Sequence, residues 1–233
     1  MILPKVVKGT PSTLTITSLI LGLWSIRFSV NGQLLHAVAC VLVCIVLDGF
    51  DGKLARYLDN ATEFGATLDT LADFTSFGIA PIMITYFTFT HNRILWIACI
   101  VFVVCMALRL ARFAQTKAEH ESFFIGVPAP AGALLGLTPM FAILSNLYVP
   151  SSQLSAVCLF LSAFLMISKL PTFAIMRMKL SSNFLPIFAV LLTLALSYAL
   201  FHPWSGILLI NLFYVCTFPF SFTLYKKFIT RAL

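Results

Sequence analysis

Apolar residues fill the chain in long runs, at 12–29, 34–57, 63–89, 93–115, 127–148, 151–168, 184–201 and 204–225. Short polar breaks separate them: NGQ (31–33), DNAT (59–62), HNR (91–93), HESFFIGVP (120–128), VPSS (149–152), RMKLSSN (177–183) and HPW (202–204). Most runs approach or exceed the roughly 20 residues that a helix needs to cross the hydrocarbon core of a bilayer. Lipid offers no hydrogen-bond partners, so a spanning segment must satisfy its own backbone, and a helix does so. The pattern therefore predicts an all-α fold, a polytopic integral membrane bundle of about eight transmembrane helices. Pro128, Pro130 and Pro139 are expected to kink or delay the fifth span, because proline cannot donate the helical hydrogen bond. The start MILPKVVKGT, followed by TLTITSLILGLW, imitates a signal peptide. No small-residue cleavage site follows it, so it reads as a retained first span. One domain covering 1–233 is expected, without internal repeat or linker, its last two spans lying at about 184–225.

Composition agrees with the pattern. The chain is 60% hydrophobic and only 10% charged, whereas a soluble domain carries about a quarter of its residues charged. Charge also orients the spans. Lys5, Lys8, Lys53, Arg56, Arg109, Arg112, Lys117, Lys169, Arg177, Lys179, Lys226, Lys227 and Arg231 fall at one set of span ends, and Arg27 and Arg93 at the other. The basic side is expected to be cytoplasmic, and an even number of spans then places both termini there. The net charge of +7 becomes a property of one face, set against anionic lipid headgroups, and nucleic acid is not needed to explain it. The six cysteines lie in apolar runs without a CxxC pair and read as small hydrophobes. His36, His91, His120 and His202 sit at span ends or in loops, without ligand spacing.

Against this background the acids stand out. The chain has 8 acidic residues, and four of its aspartates, Asp48, Asp51, Asp69 and Asp73, fall within DGFDGKLARYLDNATEFGATLDTLAD. On a helix, Asp48, Asp51, Gly52, Ala55 and Arg56 share a face, and Gly65, Asp69 and Asp73 share one on the next helix. Two adjacent antiparallel helices would turn the four carboxylates toward one another. Like charges and desolvation forbid that all stay ionised alone. Divalent cations that prefer hard oxygen, Mg²⁺, Mn²⁺ or Ca²⁺, relieve the repulsion, and no histidine or cysteine at these positions favours zinc. Gly52 and Gly65 would let a ligand approach the backbone, although glycine destabilises a helix by about 1 kcal/mol relative to alanine. Arg56 offers a fork for phosphate oxygens. The set describes a pyrophosphate site, hence metal-dependent phosphoryl chemistry. A cation site in a transporter and a purely structural cluster are the alternatives, although transporters more often spread such residues across broken helices at the midplane.

The residues Asp48-x-x-Asp51-Gly52-x-x-Ala55-Arg56, then eight residues, then Gly65-x-x-x-Asp69-x-x-x-Asp73, resemble the motif of the CDP-alcohol phosphatidyltransferase family at every defining position. ADFTSFGIAP (72–81), ALRLARF (107–113), FFIGVPAPAGA (123–133) and, less closely, TPSTLTITSLILGLWSIR (10–27) are similar to its bacterial phosphatidylserine synthase branch. The resemblance covers about residues 10–135. It implies transfer of a phosphatidyl group from CDP-diacylglycerol to the hydroxyl of L-serine with release of CMP, in the bacterial inner membrane. Two Mg²⁺ or Mn²⁺ ions are implied, bridged by Asp48, Asp51 and Asp69, with Asp73 a further ligand or the base. Thr15, Gly52, Ala55, Arg56 and Gly65 are the implied donor-binding positions. Ser12 and Ser18 stand where related enzymes carry asparagine, whereas Thr15 is retained. Phosphatidylglycerophosphate or phosphatidylcholine synthesis is the alternative within the family, and a cation-coupled transporter the alternative outside it.

Arg109 and Arg112 are spaced i, i+3 in the apolar run IACIVFVVCMALRLARF. A buried arginine needs an anionic partner, and a serine carboxylate or a donor phosphate suits its fork. Anchoring at the cytoplasmic end by snorkelling is the alternative, more for Arg112 than for Arg109. GVPAP (126–130) reads either as an element closing over the site or as the irregular start of the fifth span. Gly132 and Gly136 form a GxxxG pattern that suits either close packing within the chain or a homodimer face.

Overall fold

The computed structural model describes residues 3–57, 62–89, 92–115, 123–168, 171–173 and 201–216, with residues 193, 197 and 198. At 3–12, 51–57, 123–125 and 171–173 the description is of the backbone alone. The expected span at 184–201 lies almost wholly outside the described residues, as does the stretch 217–233.

The described apolar runs become helices close to their expected bounds. These are α1 (Leu3–Val30), α2 (Leu34–Tyr57), α3 (Glu63–Asp73), α4 (Ala80–Thr88), α5 (Arg93–Gln115), α6 (Ala129–Gly136), α7 (Thr138–Leu144) and α8 (Ser152–Ile167). A further apolar helix, α9, runs Pro203–Cys216. Their ends follow local chemistry. Gly32, at φ 72°, closes α1: its N–H donates to Ser29 and that of Gln33 to Phe28, a Schellman turn that needs a left-handed residue. Thr62 caps α3 by accepting from the Gly65 N–H. Asn92 accepts from Ile94 N–H at the start of α5 and donates to the Ser152 hydroxyl at 2.9 Å, tying the starts of α5 and α8 together.

Two features depart from continuous spans. Between α3 and α4 the chain makes a π-helical turn, Phe74–Ile79, in which the Ala80 N–H reaches Thr75. Pro81 lies just beyond and lacks the N–H that would bond Phe77, which favours the wider turn there. The expected fifth span is broken at Leu137 into α6 and α7, because Pro139 cannot donate to Leu135. The helical class holds, with one small addition. β1 (Phe123–Ile125) pairs antiparallel with β2 (Pro171–Phe173), Phe123 opposite Phe173.

Among the described residues, Thr13–Val30 and Arg93–Gln115 are helices long and apolar enough to cross a membrane. The outer faces are apolar, with Trp24, Val46, Ile97, Val104, Leu161 and Phe164 exposed. Small polar residues are turned inward. Thr15, Ser18, Ser25 and Ser29 are buried on the inner face of α1, where Ser25 Oγ donates to the Ala37 carbonyl of α2 at 2.8 Å. Such a stripe lets helices approach closely where lipid supplies no hydrophobic drive. The GxxxG glycines are spent the same way. A Cβ on Gly132 would meet Met166 Sδ at 2.5 Å, and one on Gly136 would meet Leu159 and Phe102 at 3.1 and 3.3 Å. Their small size is used within the chain, between α6 and the helices α8 and α5.

Gly22 marks the tightest crossing of α1. A Cβ there would stand 2.6 Å from Ser76 Oγ and 3.2 Å from Ser76 Cα in the π turn. Gly22→Val should therefore destabilise the protein by about 1–3 kcal/mol, the usual penalty of overpacking. Thermal unfolding in detergent checks it, and an unchanged midpoint would show that α1 gives way freely.

Candidate active site

α2 and α3 bring three of the four acids together. Asp48 comes from α2, Asp69 and Asp73 from one face of α3, and one carboxylate oxygen of each lies within 4.8 Å of the others. All three are half-buried. Asp51 sits one turn after Asp48 on α2; its side chain, like those of Gly52, Lys53, Ala55 and Arg56, lies outside the described residues. The donor set is all oxygen and anionic, which fits a hard divalent cation. With metal–oxygen distances of about 2.1 Å for Mg²⁺ and about 2.4 Å for Ca²⁺, ligands on opposite sides of one ion stand about 4–5 Å apart. The spacing found here is of that size.

One backbone carbonyl locks the helices behind the acids. The Ser18 carbonyl of α1 accepts from Cys44 Sγ of α2 at 3.3 Å and from Ser76 Oγ of the π turn at 3.2 Å. Cys44 is one turn before Asp48, and Ser76 three residues after Asp73, so both acid-bearing helices are pinned to α1 near the carboxylates. Ser18 thus works through its main chain. Thr15, one turn earlier, is buried on the same face of α1, and the side chain of Ser12 lies outside the described residues. Gly65 has a local role besides any ligand approach. Its N–H donates to Thr62 Oγ1 at 3.1 Å, and a Cβ would come within 3.0 Å of that oxygen.

The paired arginines are given different surroundings. Arg109 is half-buried, donates from Nε to the Val127 carbonyl at 2.6 Å, and stands 6.0 Å over the Phe113 ring. Asp73, Tyr214 and Asp48 lie within Coulombic range of its guanidinium. Arg112 is exposed and donates from Nη1 to the Ile167 carbonyl at 3.4 Å, at the C-terminus of α8. A cation there complements the helix dipole.

GVPAP supplies the backbone that Arg109 uses. Gly126, at φ 81°, passes so close to α8 that a Cβ would stand 2.6 Å from the Met166 carbonyl. The Val127 N–H donates to Leu165, and Ser162 Oγ donates to the Gly132 carbonyl at 2.6 Å. The segment is both the irregular start of α6 and a bonded neighbour of the acid-facing arginine. Three contributions are not readable from the sequence pattern: the Ser18 carbonyl, the Val127 carbonyl and Tyr214. The first two are main-chain atoms without a residue signature. Tyr214 has a faint one, since it follows Asn211 by three residues in an otherwise apolar helix.

The chain is similar in sequence to known proteins over most of its length. Residues 8–218 match the family profile described as CDP-alcohol phosphatidyltransferase. A CDP-diacylglycerol–serine O-phosphatidyltransferase of Mycobacterium leprae is 31% identical over 220 residues, 91% of this chain and 73% of that protein. One of Methanocaldococcus jannaschii is 39% identical over 165 residues, 70% of this chain and 74% of its own length. One of Helicobacter pylori is 40% identical over 128 residues, 54% of each chain. The match runs through all the helices that frame the carboxylates and extends far beyond the motif itself, so the chain belongs to the CDP-alcohol phosphatidyltransferase family.

Proposed function

We propose that this protein is an integral membrane enzyme that transfers the phosphatidyl group of CDP-diacylglycerol to the hydroxyl of L-serine and releases CMP. The observation that carries the reading is the convergence of Asp48, Asp69 and Asp73 at the junction of two consecutive helices. Relatives named for this reaction, similar over most of the chain, support serine as the acceptor.

Asp48, Asp51 and Asp69 would hold two divalent ions, Mg²⁺ or Mn²⁺, leaving Asp73 beside them to act as the base. Such ions supply charge stabilisation on the pyrophosphate oxygens. Arg56 neutralises donor phosphate, with Gly52, Ala55 and Gly65 leaving room beside it and Thr15 bordering the nucleotide. The serine hydroxyl oxygen attacks the β-phosphorus of the donor. A new O–P bond forms, the bond from that phosphorus to the bridging oxygen breaks, and CMP leaves with the bond's electron pair. Asp73 accepts the hydroxyl proton. Arg109 receives the serine carboxylate, its Nε held by Val127. Arg112 is the more peripheral of the pair.

The lipid tails stay in the bilayer while the polar chemistry proceeds at its surface. The distribution of Lys and Arg supports a cytoplasmic site with both termini inside, the apolar runs support about eight spans, and the resemblance to bacterial enzymes supports a bacterial inner-membrane location. A single domain, 1–233, carries the activity.

The test is CMP release by purified protein in detergent with CDP-diacylglycerol and a panel of labelled alcohols. Serine should be the preferred acceptor. Chelation should abolish turnover, and Mg²⁺ or Mn²⁺ should restore it without any membrane gradient. Preference for glycerol 3-phosphate or choline would move the protein to another branch of the family. Gradient-dependent ion flux without CMP release would sink the enzymatic reading.

A further inference from the structure

The acids come from α2 and α3, yet these two helices are registered through a third. Among the described residues α1 packs along α2, α3 and the π turn, and direct packing between α2 and α3 is slight by comparison. One atom of α1 bonds both sides of the junction. The Ser18 carbonyl accepts from Cys44 Sγ at 3.3 Å and from Ser76 Oγ at 3.2 Å. Ser18, Cys44 and Ser76 are all buried, which keeps water from competing for these bonds. Gly22, one turn after Ser18, leaves the space that Ser76 needs, since a Cβ there would stand 2.6 Å from its Oγ.

We propose that Ser76, with Cys44 in support, is a positioning residue for divalent-ion binding. By tying the π turn and α2 to one carbonyl of α1, the two side chains fix how far Asp48 stands from Asp69 across the junction. The proposal rests on the metal-dependent reading above and deepens it. Cys44 is one turn before Asp48 and Ser76 two turns after Asp69, so a shift at either bond is carried along a stiff helix to a carboxylate. The site tolerates little such shift, because Mg²⁺ demands near-ideal octahedral geometry at about 2.1 Å. Oxygens of Asp48, Asp69 and Asp73 lie within 4.8 Å of one another. Like charges at that spacing push their helices apart. The bonds to Ser18 oppose that push and hold the carboxylates together before an ion arrives, and such preorganisation is read out as ion affinity.

The test is Mn²⁺ titration of the purified protein in detergent, with free Mn²⁺ followed by electron paramagnetic resonance. Wild type is compared with Ser76→Ala, Cys44→Ala and Ser25→Ala. Ser25 is the control: its hydroxyl makes a bond of the same kind between α1 and α2, to the Ala37 carbonyl at 2.8 Å, two turns along α1 from Ser18. In Ser76→Ala the Mn²⁺ dissociation constant should rise about tenfold, the lower end of what lost support behind metal ligands costs. Cys44→Ala should raise it about threefold, because a thiol is the weaker donor. Ser25→Ala should lower the metal-free thermal midpoint as Ser76→Ala does, yet leave Mn²⁺ affinity alone. Saturating Mn²⁺ should restore most CMP release in Ser76→Ala. An unmoved Mn²⁺ affinity in Ser76→Ala overturns the proposal, and so does an equal loss of affinity in Ser25→Ala, which marks a general loosening of the bundle. Should Ser76→Ala fail to fold, Cys44→Ala decides in its place, and an unmoved affinity there overturns the proposal. A wild type that binds no Mn²⁺ ends the metal reading itself and the positioning role with it. A wild type that binds Mn²⁺ no better than Ser76→Ala removes the positioning role alone.

Discussion

Asp73→Asn should lower CMP release by about 10²–10⁴-fold, the range that a positioned general base supplies, while donor binding changes much less. Asp73 shares a face of α3 with Asp69, and its carboxylate meets those of Asp48 and Asp69. Asparagine keeps the shape and removes both the charge and the basic oxygen. Asp48→Asn, Asp51→Asn and Asp69→Asn should differ in kind. Each replaces a hard anionic ligand with a neutral amide, so divalent-ion affinity and turnover should fall together. Measuring kcat alongside equilibrium binding of CDP-diacylglycerol and of Mn²⁺ separates the two patterns. Asp59→Asn and Glu63→Gln are controls expected to keep most activity; Glu63 is exposed in the first turn of α3. A loss of less than about tenfold at Asp73 would remove it from the role of base, since that falls below what such a group contributes.

Arg109→Lys should raise the serine KM by about 10–100-fold, equivalent to about 1.5–3 kcal/mol for a hydrogen bond to a charged group. Lysine preserves the charge but has neither the fork nor an Nε to donate to Val127, so the head group loses both its ligand geometry and its anchor. Arg112→Lys should have a small effect, because its observed bond is a long one to the exposed end of α8. The donor KM should hold in both variants. Ethanolamine, which is serine without the carboxylate, should be a poor acceptor for the wild type and should gain little from either substitution. A rise in the CDP-diacylglycerol KM with serine saturation unmoved would reassign Arg109 to a donor phosphate. Equal use of ethanolamine and serine would end the carboxylate assignment.

The acids are legible in the amino-acid sequence because their grouping is local. Asp69 and Asp73 are one turn apart, and a helical period alone puts them on one face. Asp48 joins them because a connection of only five residues, 58–62, leaves consecutive helices little choice but to lie side by side. The helix bounds are legible because apolar runs in lipid must bond their own backbone. Pro139 announces the break in the fifth span. The π turn after Asp73 is not legible, because it depends on Pro81 together with the close approach of Gly22 to Ser76.

A helical membrane protein with its carboxylates gathered at one junction thus follows from the chain's own periodicity, segment by segment. What stands around that junction follows from packing between segments. Arg109 and Arg112 look alike at i, i+3, yet one meets Val127 near the acids and the other the end of α8. The Ser18 carbonyl that pins α2 and the π turn has no side-chain signature at all. Tyr214 lies far from the motif in the chain and within Coulombic range of Arg109 in space. Contacts between helices are set by how their faces pack, and that depends on small residues such as Gly22, Gly126 and Gly132, whose effect is felt only when a neighbouring helix arrives.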